Sequence, residues 1–137
     1  MEQTATMNKE TRLKVYRMYD GHCAYCGKAI EYKDMQVDHI VPKNRGMYSR
    51  WDEKQGTWVV TQGEDSLDNY MPACRACNFR KRDMTLEQFR AEIKKQAVGL
   101  LSGAAKFQVK MSIAYGLIVP LFDKEVEFYF EKVKRKD

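Results

Sequence analysis

The sequence predicts a small α+β domain. Three observations point there: two Cys-x-x-Cys pairs far apart in the chain, two short β-favouring runs between them, and helical spacing on either side. At 137 residues the chain has room for one domain with at most a short appendage. A domain of that size buries roughly two-thirds of its unfolded surface, so a covalent or metal staple adds noticeably to its stability.

The cysteines come first. Cys23-Ala-Tyr-Cys26 and Cys74-Arg-Ala-Cys77 account for all 4 cysteines in the chain. A two-residue gap lets both sulfurs of a pair reach one tetrahedral ion, and two such pairs complete a closed four-thiolate zinc site. Gly27 fits the turn after such a knuckle, where φ is often positive. Two disulfides are the alternative, and a reducing compartment disfavours them. A redox-active pair would explain one Cys-x-x-Cys and leave the other idle. The expected cofactor is therefore one structural Zn²⁺ held by Cys23, Cys26, Cys74 and Cys77, with no open position for chemistry. His22, beside Cys23, is read as a surface residue, because four thiolates already suffice.

Between the pairs, Met35-Gln-Val-Asp38-His39-Ile40-Val41-Pro42 reads as a short strand running into a loop. Adjacent residues of a regular strand point to opposite faces, so a site that uses both Asp38 and His39 asks for a backbone deviation near His39. Gly63 to Pro72 is a turn-rich entry into a second strand. A helix from Cys74 through Arg82 then places Cys77, Asn78, Lys81 and Arg82 near one face. The stretch Met47 to Gln62 reads as a hairpin, with Tyr48–Trp51 and Thr57–Val60 flanking a turn at Asp52–Gly56. Trp51 and Trp58 are expected to pack on the core.

The flanks look like scaffolding. Asn8 caps a helix through Tyr19 that Gly21 terminates. Thr85-Leu-Glu-Gln88 matches a capping box, with Leu86, Phe89, Ile93, Ala97 and Leu100 at helical spacing. Phe107, Met111, Ala114 and Tyr115 mark a further helix stopping near Gly116. Val126, Phe128 and Phe130 alternate with charged or polar neighbours, as in a half-buried strand.

The net charge is +5, with an isoelectric point near 9.0. Its densest basic stretch is Arg75, Arg80, Lys81 and Arg82, beside the second cysteine pair. Such charge favours a polyanion, although a solvated helix face explains it equally well. The first ten residues lack the apolar core of a signal peptide. The longest apolar stretch, Ile113 to Phe122, is broken by Gly116 and Pro120 and is far short of a membrane span. A soluble cytoplasmic protein, with no membrane partner, is the expectation.

In series, Cys-x-x-Cys, Asp38-His39-Ile40-x-Pro42, Gly63-x-Asp65-Ser66-x-x-Asn69 and Cys74-x-x-Cys77-Asn78-x-x-Lys81 resemble the zinc-knuckle branch of the HNH endonucleases, which have the ββα-metal fold. The resemblance runs from Cys23 to Lys81. It implies a metal-dependent DNA endonuclease in which His39 is the general base and Asp38 and Asn78 hold a catalytic Mg²⁺ or Mn²⁺. Asn69 would orient the base and brace the hairpin. Asn78 stands where many members carry His, and the span from Asp38 to Asn69 is longer than in compact members.

The residue types suit that chemistry independently. A neutral imidazole accepts a water's proton, and one carboxylate with one amide oxygen suits a hard ion that keeps several waters. Lys43, Arg45, Arg75, Arg80, Lys81 and Arg82 are the expected nucleic-acid contacts, with a structural role for Lys81 as the alternative. The nuclease domain is expected over residues 1–98. A helical and β extension over 99–137 would pack on or beside it, and would be open to self-association or a protein partner. Other readings are a non-catalytic zinc module that binds nucleic acid, or a nuclease for RNA or branched junctions. A phage, mobile-element or defence setting would suit the resemblance.

Overall fold

The computed structural model describes residues 7–43, 49–60 and 63–136. It combines helices with small antiparallel sheets, in two compact units. One comprises the chain up to Leu86 together with the segment from Phe128 on, and the other is Glu87–Glu127.

The first unit opens with α1 (Lys9–Arg17). Asn8 caps it, its Oδ1 accepting from the Thr11 backbone N–H at 2.8 Å. Val15 faces the core with no exposure, and Met18 and Tyr19 follow it inward. The helix ends at Arg17, two residues short of the expected Tyr19, and the turn that follows passes through Asp20 at φ +53° and Gly21 at φ +75°. A Cβ there would meet the Tyr16 hydroxyl at 2.8 Å, so both conformation and space call for glycine. Arg12 and Tyr16 clip the helix to the next segment. The Arg12 guanidinium donates to the carbonyls of Tyr32 and Met35, and the Tyr16 hydroxyl donates to that of Ile30.

Strand β1 (Gln36–His39) pairs antiparallel with a strand much later in the chain, in the register Gln36↔Ala73, Val37↔Pro72, Asp38↔Met71 and His39↔Tyr70. Between them, β2 (Ser49–Asp52) and β3 (Thr57–Val60) form the expected hairpin around a turn closed by Gly56. Among the described residues its strands pair only with each other, and Trp51 is half-exposed instead of packed on the core, while the Trp58 side chain lies outside what is described. Positions 44–48, and with them Arg45, Met47 and Tyr48, lie outside the described residues, as do 61 and 62.

Strand β4 (Tyr70–Ala73) is buried at every position. It leads directly into α2 (Arg75–Lys81), and the Cys74 sulfur caps that helix by accepting from the Cys77 N–H. Arg82, at φ +52°, ends it. Helix α2 packs on β1. Antiparallel strands followed by a helix thus occur where the sequence placed them.

Residues 128–136 complete this unit. Tyr129 and Phe130 donate their backbone N–H groups to the carbonyls of Tyr25 and Ala24. The rings of Phe128 and Phe130 stack on one another and meet Tyr25 edge-on. The alternating pattern at 126–131 is therefore not a strand. Beyond Phe128 the chain turns into a single helical turn, α5 after the two helices of the second unit, at Tyr129–Lys132. The Glu131 carboxylate accepts the Phe128 N–H and closes that turn. The alternation reflects two aromatic rings flanking a third.

In the second unit, α3 (Leu86–Gly99, starting one residue before it) and α4 (Lys106–Ala114) are joined by a glycine-bearing turn. Gly116, at φ +75°, follows α4. Arg90 donates to the Val126 carbonyl and Lys94 to that of Lys124, tying the returning chain to α3. Among the described residues no helix is long and apolar enough to cross a membrane.

Candidate functional site

Two backbone turns create the first half of a sulfur cluster. The Cys23 N–H donates to Lys28 O at 2.8 Å and the Gly27 N–H to Cys23 O at 2.9 Å, folding the pair back on itself. Gly27 has φ +82°, and a Cβ there would sit 2.8 Å from the Tyr129 ring. The end of β4 and the first turn of α2 supply the other half. All four sulfurs lie within 4.8 Å of one another, and the cysteines are free of disulfides.

The cluster's dimensions suit a metal ion such as zinc. Zinc–sulfur bonds of about 2.3 Å put the corners of a tetrahedron about 3.8 Å apart. The Cys26 and Cys74 sulfurs stand 3.9 Å apart. The Cys23 thiol is held well below its ordinary value, first by a hydrogen bond from Cys77 and then, against burial, by the backbone N–H groups of Cys26, Cys74 and Tyr25. Cys77 is pushed up, chiefly by that same hydrogen bond, and Cys26 chiefly by burial. His22 stays out of it, its Nδ1 lying 3.1 Å from the carbonyls of Tyr19 and Asp20.

The knuckle reaches directly to β1. Tyr25, between the first two cysteines, is buried and donates its hydroxyl to Asp38 Oδ2 at 2.5 Å. Lys81, fully buried, places its ammonium 3.0 Å from the same oxygen and donates to the His39 carbonyl at 2.9 Å. Asp38 is 4% exposed. Burial raises its pKa, against the Lys81 charge and the hydrogen bonds from Tyr25 and Lys81. Burial and the Asp38 charge push the Tyr25 phenol up as well. Both partners use one carboxylate oxygen, and Oδ1 has none among the described residues. The side-chain amide of Asn78, one turn before Lys81 on α2, likewise has no partner there.

The His39 ring occupies the other side of β1. Its Nε2 lies 2.8 Å from Asp65 Oδ1, and its edge meets the Tyr70 ring at 5.3 Å. The expected backbone deviation is absent. His39 stays in register with Tyr70, and the ladder continues through the Ile40 N–H to Asn69 O at 2.9 Å. Asp38 and His39 therefore obey the ordinary strand alternation. Lys43 also reaches Asp65, at 2.7 Å. Hydrogen bonds from Lys43 and then His39 bring the Asp65 pKa down to about 2.

Asn69 braces the loops behind this pair. Its Oδ1 accepts from the Val41 N–H, and its Nδ2 donates to the carbonyls of Val41 and Glu64. Gly63 packs so closely that a Cβ there would come 1.7 Å from Val41 O.

Of the expected phosphate contacts, Arg75, Arg80 and Arg82 are exposed. Lys81 is not available, because its ammonium is fixed inside by Asp38 and His39 O. Sequence reasoning missed two participants. Asp65 was visible within the Gly63-x-Asp65-Ser66 run, and Tyr25 stood inside the first cysteine pair, but neither residue's partner can be read from spacing.

No family model matches the chain, and no curated protein matches it. Among solved structures it is similar to the crystal structure of the Type II-C Cas9 enzyme from Actinomyces naeslundii, with a TM-score of 0.47 and 22% identity. That alignment covers 74% of this chain and 11% of the other, so the chain spans about a ninth of that protein's length.

Proposed function

We propose that the chain is a metal-dependent endonuclease of the HNH type that hydrolyses DNA phosphodiester bonds, on a ββα-metal core spanning Cys23 to Lys81 and stapled by zinc. The observation that carries this reading is the Asp38 carboxylate. A buried acid held on one oxygen by Tyr25 and Lys81, with the other oxygen unpartnered, is oriented for a cation. Asn78, on the helix packed over β1, is the second ligand. A divalent ion of the Mg²⁺ or Mn²⁺ class bound there supplies charge relief at the phosphate and at the leaving oxygen.

The chain's own residues do the rest. His39 takes the proton of the attacking water, which requires the end of β1 to turn so that its ring comes to the Asp38 side. Asp65, beside Nε2, faces the positive charge the ring then carries. Asn69 holds the loops at Val41 and Glu64, and so the end of the strand that presents His39. Tyr25 and Lys81 keep the Asp38 carboxylate in one orientation. Arg75, Arg80 and Arg82 offer exposed positive charge to the phosphate backbone, with Lys43 near His39 and Arg45 beyond the described residues.

A supercoiled-plasmid nicking assay tests the reading. The wild type should convert plasmid to nicked or linear form when Mg²⁺ or Mn²⁺ is added, and Asp38→Ala should not. A second reading, a zinc module that binds nucleic acid without cutting it, is favoured by the His39–Asp65 contact, which occupies the base. Binding without cleavage under every divalent ion tried would establish that second reading and overturn the first.

A further inference from the structure

We propose that the outward face of α2 is a stacking platform for an unpaired nucleobase, with Phe79 as the stacking ring and Arg75 and Arg82 as its cationic flanks. The inference rests on nucleic acid being the partner, as in the reading above. It deepens that reading by naming the substrate class: single-stranded or locally unpaired DNA, in preference to continuous duplex.

Phe79 is 65% exposed on a seven-residue helix that carries no acidic residue. The helix already commits its inner side, with Cys77 in the sulfur cluster and Lys81 fully buried against Asp38. Arg75 lies four residues before Phe79, on the same side of the helix, and Arg82, which ends the helix at φ +52°, turns its side chain back to the ring. The Arg82 guanidinium is 5.9 Å from the Phe79 ring centroid, within reach of a cation–π contact. Arg80 is exposed on the same helix.

An isolated exposed apolar ring needs no explanation. A ring between two arginines, in a segment without a single acid, matches a ligand that combines a flat π-face with negative charge. A nucleotide is such a ligand, and an apolar peptide lacks the charge. The base faces of a duplex are hidden in the stack, so only an unpaired base can lie on Phe79.

Fluorescence anisotropy with a labelled single-stranded oligonucleotide and its duplex, with no divalent ion added, tests this without requiring cleavage. Phe79→Leu keeps an apolar side chain but removes the π-face. It should weaken single-strand binding by about 5- to 150-fold, the range for one lost stacking contact, and leave duplex binding within about twofold. Phe79→Trp should retain affinity, and its indole emission should be quenched by the single strand. Both variants should melt like the wild type with the same zinc content, since the position is exposed. Single-strand binding unchanged in Phe79→Leu, or Phe79→Trp emission unaffected at saturation, overturns the platform whether or not the protein nicks plasmid. Phe79-dependent single-strand binding by a protein that never nicks supports the platform and defeats the nuclease reading. Absence of binding to either nucleic acid overturns both.

Discussion

The Tyr25 hydroxyl donates to Asp38 Oδ2, so a residue inside the first cysteine pair sets the orientation of the carboxylate on β1. The four-cysteine cluster and the proposed catalytic strand are thus joined by one side chain. Tyr25→Phe keeps the ring among Phe128 and Phe130 and removes only the donor. The loss should cost about 1–3 kcal/mol, the range for a buried polar group deprived of one partner. Urea unfolding measures this, and zinc content should not change. A variant as stable as the wild type would show that the hydroxyl does not hold Asp38.

Metal removal should unfold the first unit. The four sulfurs close a site whose binding energy, on the order of 10 kcal/mol in small zinc modules, is also folding energy. Purified protein should contain about one zinc per chain by elemental analysis. Cys74→Ser, which also alters the cap of α2, should give unfolded or aggregated protein. Well-folded, metal-free protein would contradict this.

Lys81 and the arginines of α2 should behave oppositely. Lys81→Met leaves a buried carboxylate without its counter-charge, and that should destabilise by about 3–5 kcal/mol. The salt dependence of DNA binding should stay as in the wild type, because the ammonium never faces solvent. Arg80→Ala should leave stability nearly unchanged and flatten the salt dependence by about one unit of slope. Denaturant melts and binding isotherms at several salt concentrations separate the two. A flattened slope in Lys81→Met would mean that the side chain reaches phosphate after all.

His39→Ala should fold, take up zinc and bind DNA, yet cut about 10²- to 10⁴-fold more slowly. Asp38→Ala should abolish cutting with DNA affinity retained. Single-turnover cleavage with excess protein isolates the chemical step from binding. Wild-type rates in either variant would remove that residue from the mechanism.

Asp65 makes a sign-specific contribution at acid pH. Its folded pKa lies below the ordinary carboxylate value, so its stabilisation is present above that value and is lost as pH falls through about 2. Asp65→Asn should therefore melt below the wild type at pH 6, with the gap closing as the pH approaches 2. The effect should be small, since the carboxylate is largely exposed and its pairing with Lys43 is screened by solvent. A gap that widens toward acid would reverse the assignment.

Local chemistry was legible in the sequence alone. The Asn8 cap, the glycine turn at Gly21, the hairpin turned at Gly56 and the helix opened by Cys74 are each decided by the backbone preferences of a few consecutive residues. The meeting of the four cysteines was legible too, because thiolate spacing carries its own geometry. What only the tertiary structure decided are the environments of charges and rings. Lys81 reads as one more cation in a basic run until α2 lies on β1 and encloses it with Asp38. His39 and Asp65 meet because the β1–β4 register ends at the loop that carries Asp65. Phe128 and Phe130 alternate like strand residues, but long-range packing on Tyr25 turns their segment into a cap and a helical turn. Residue identity sets what a side chain can do. Burial and partners distant in sequence set what it does, and those exist only once the chain has folded.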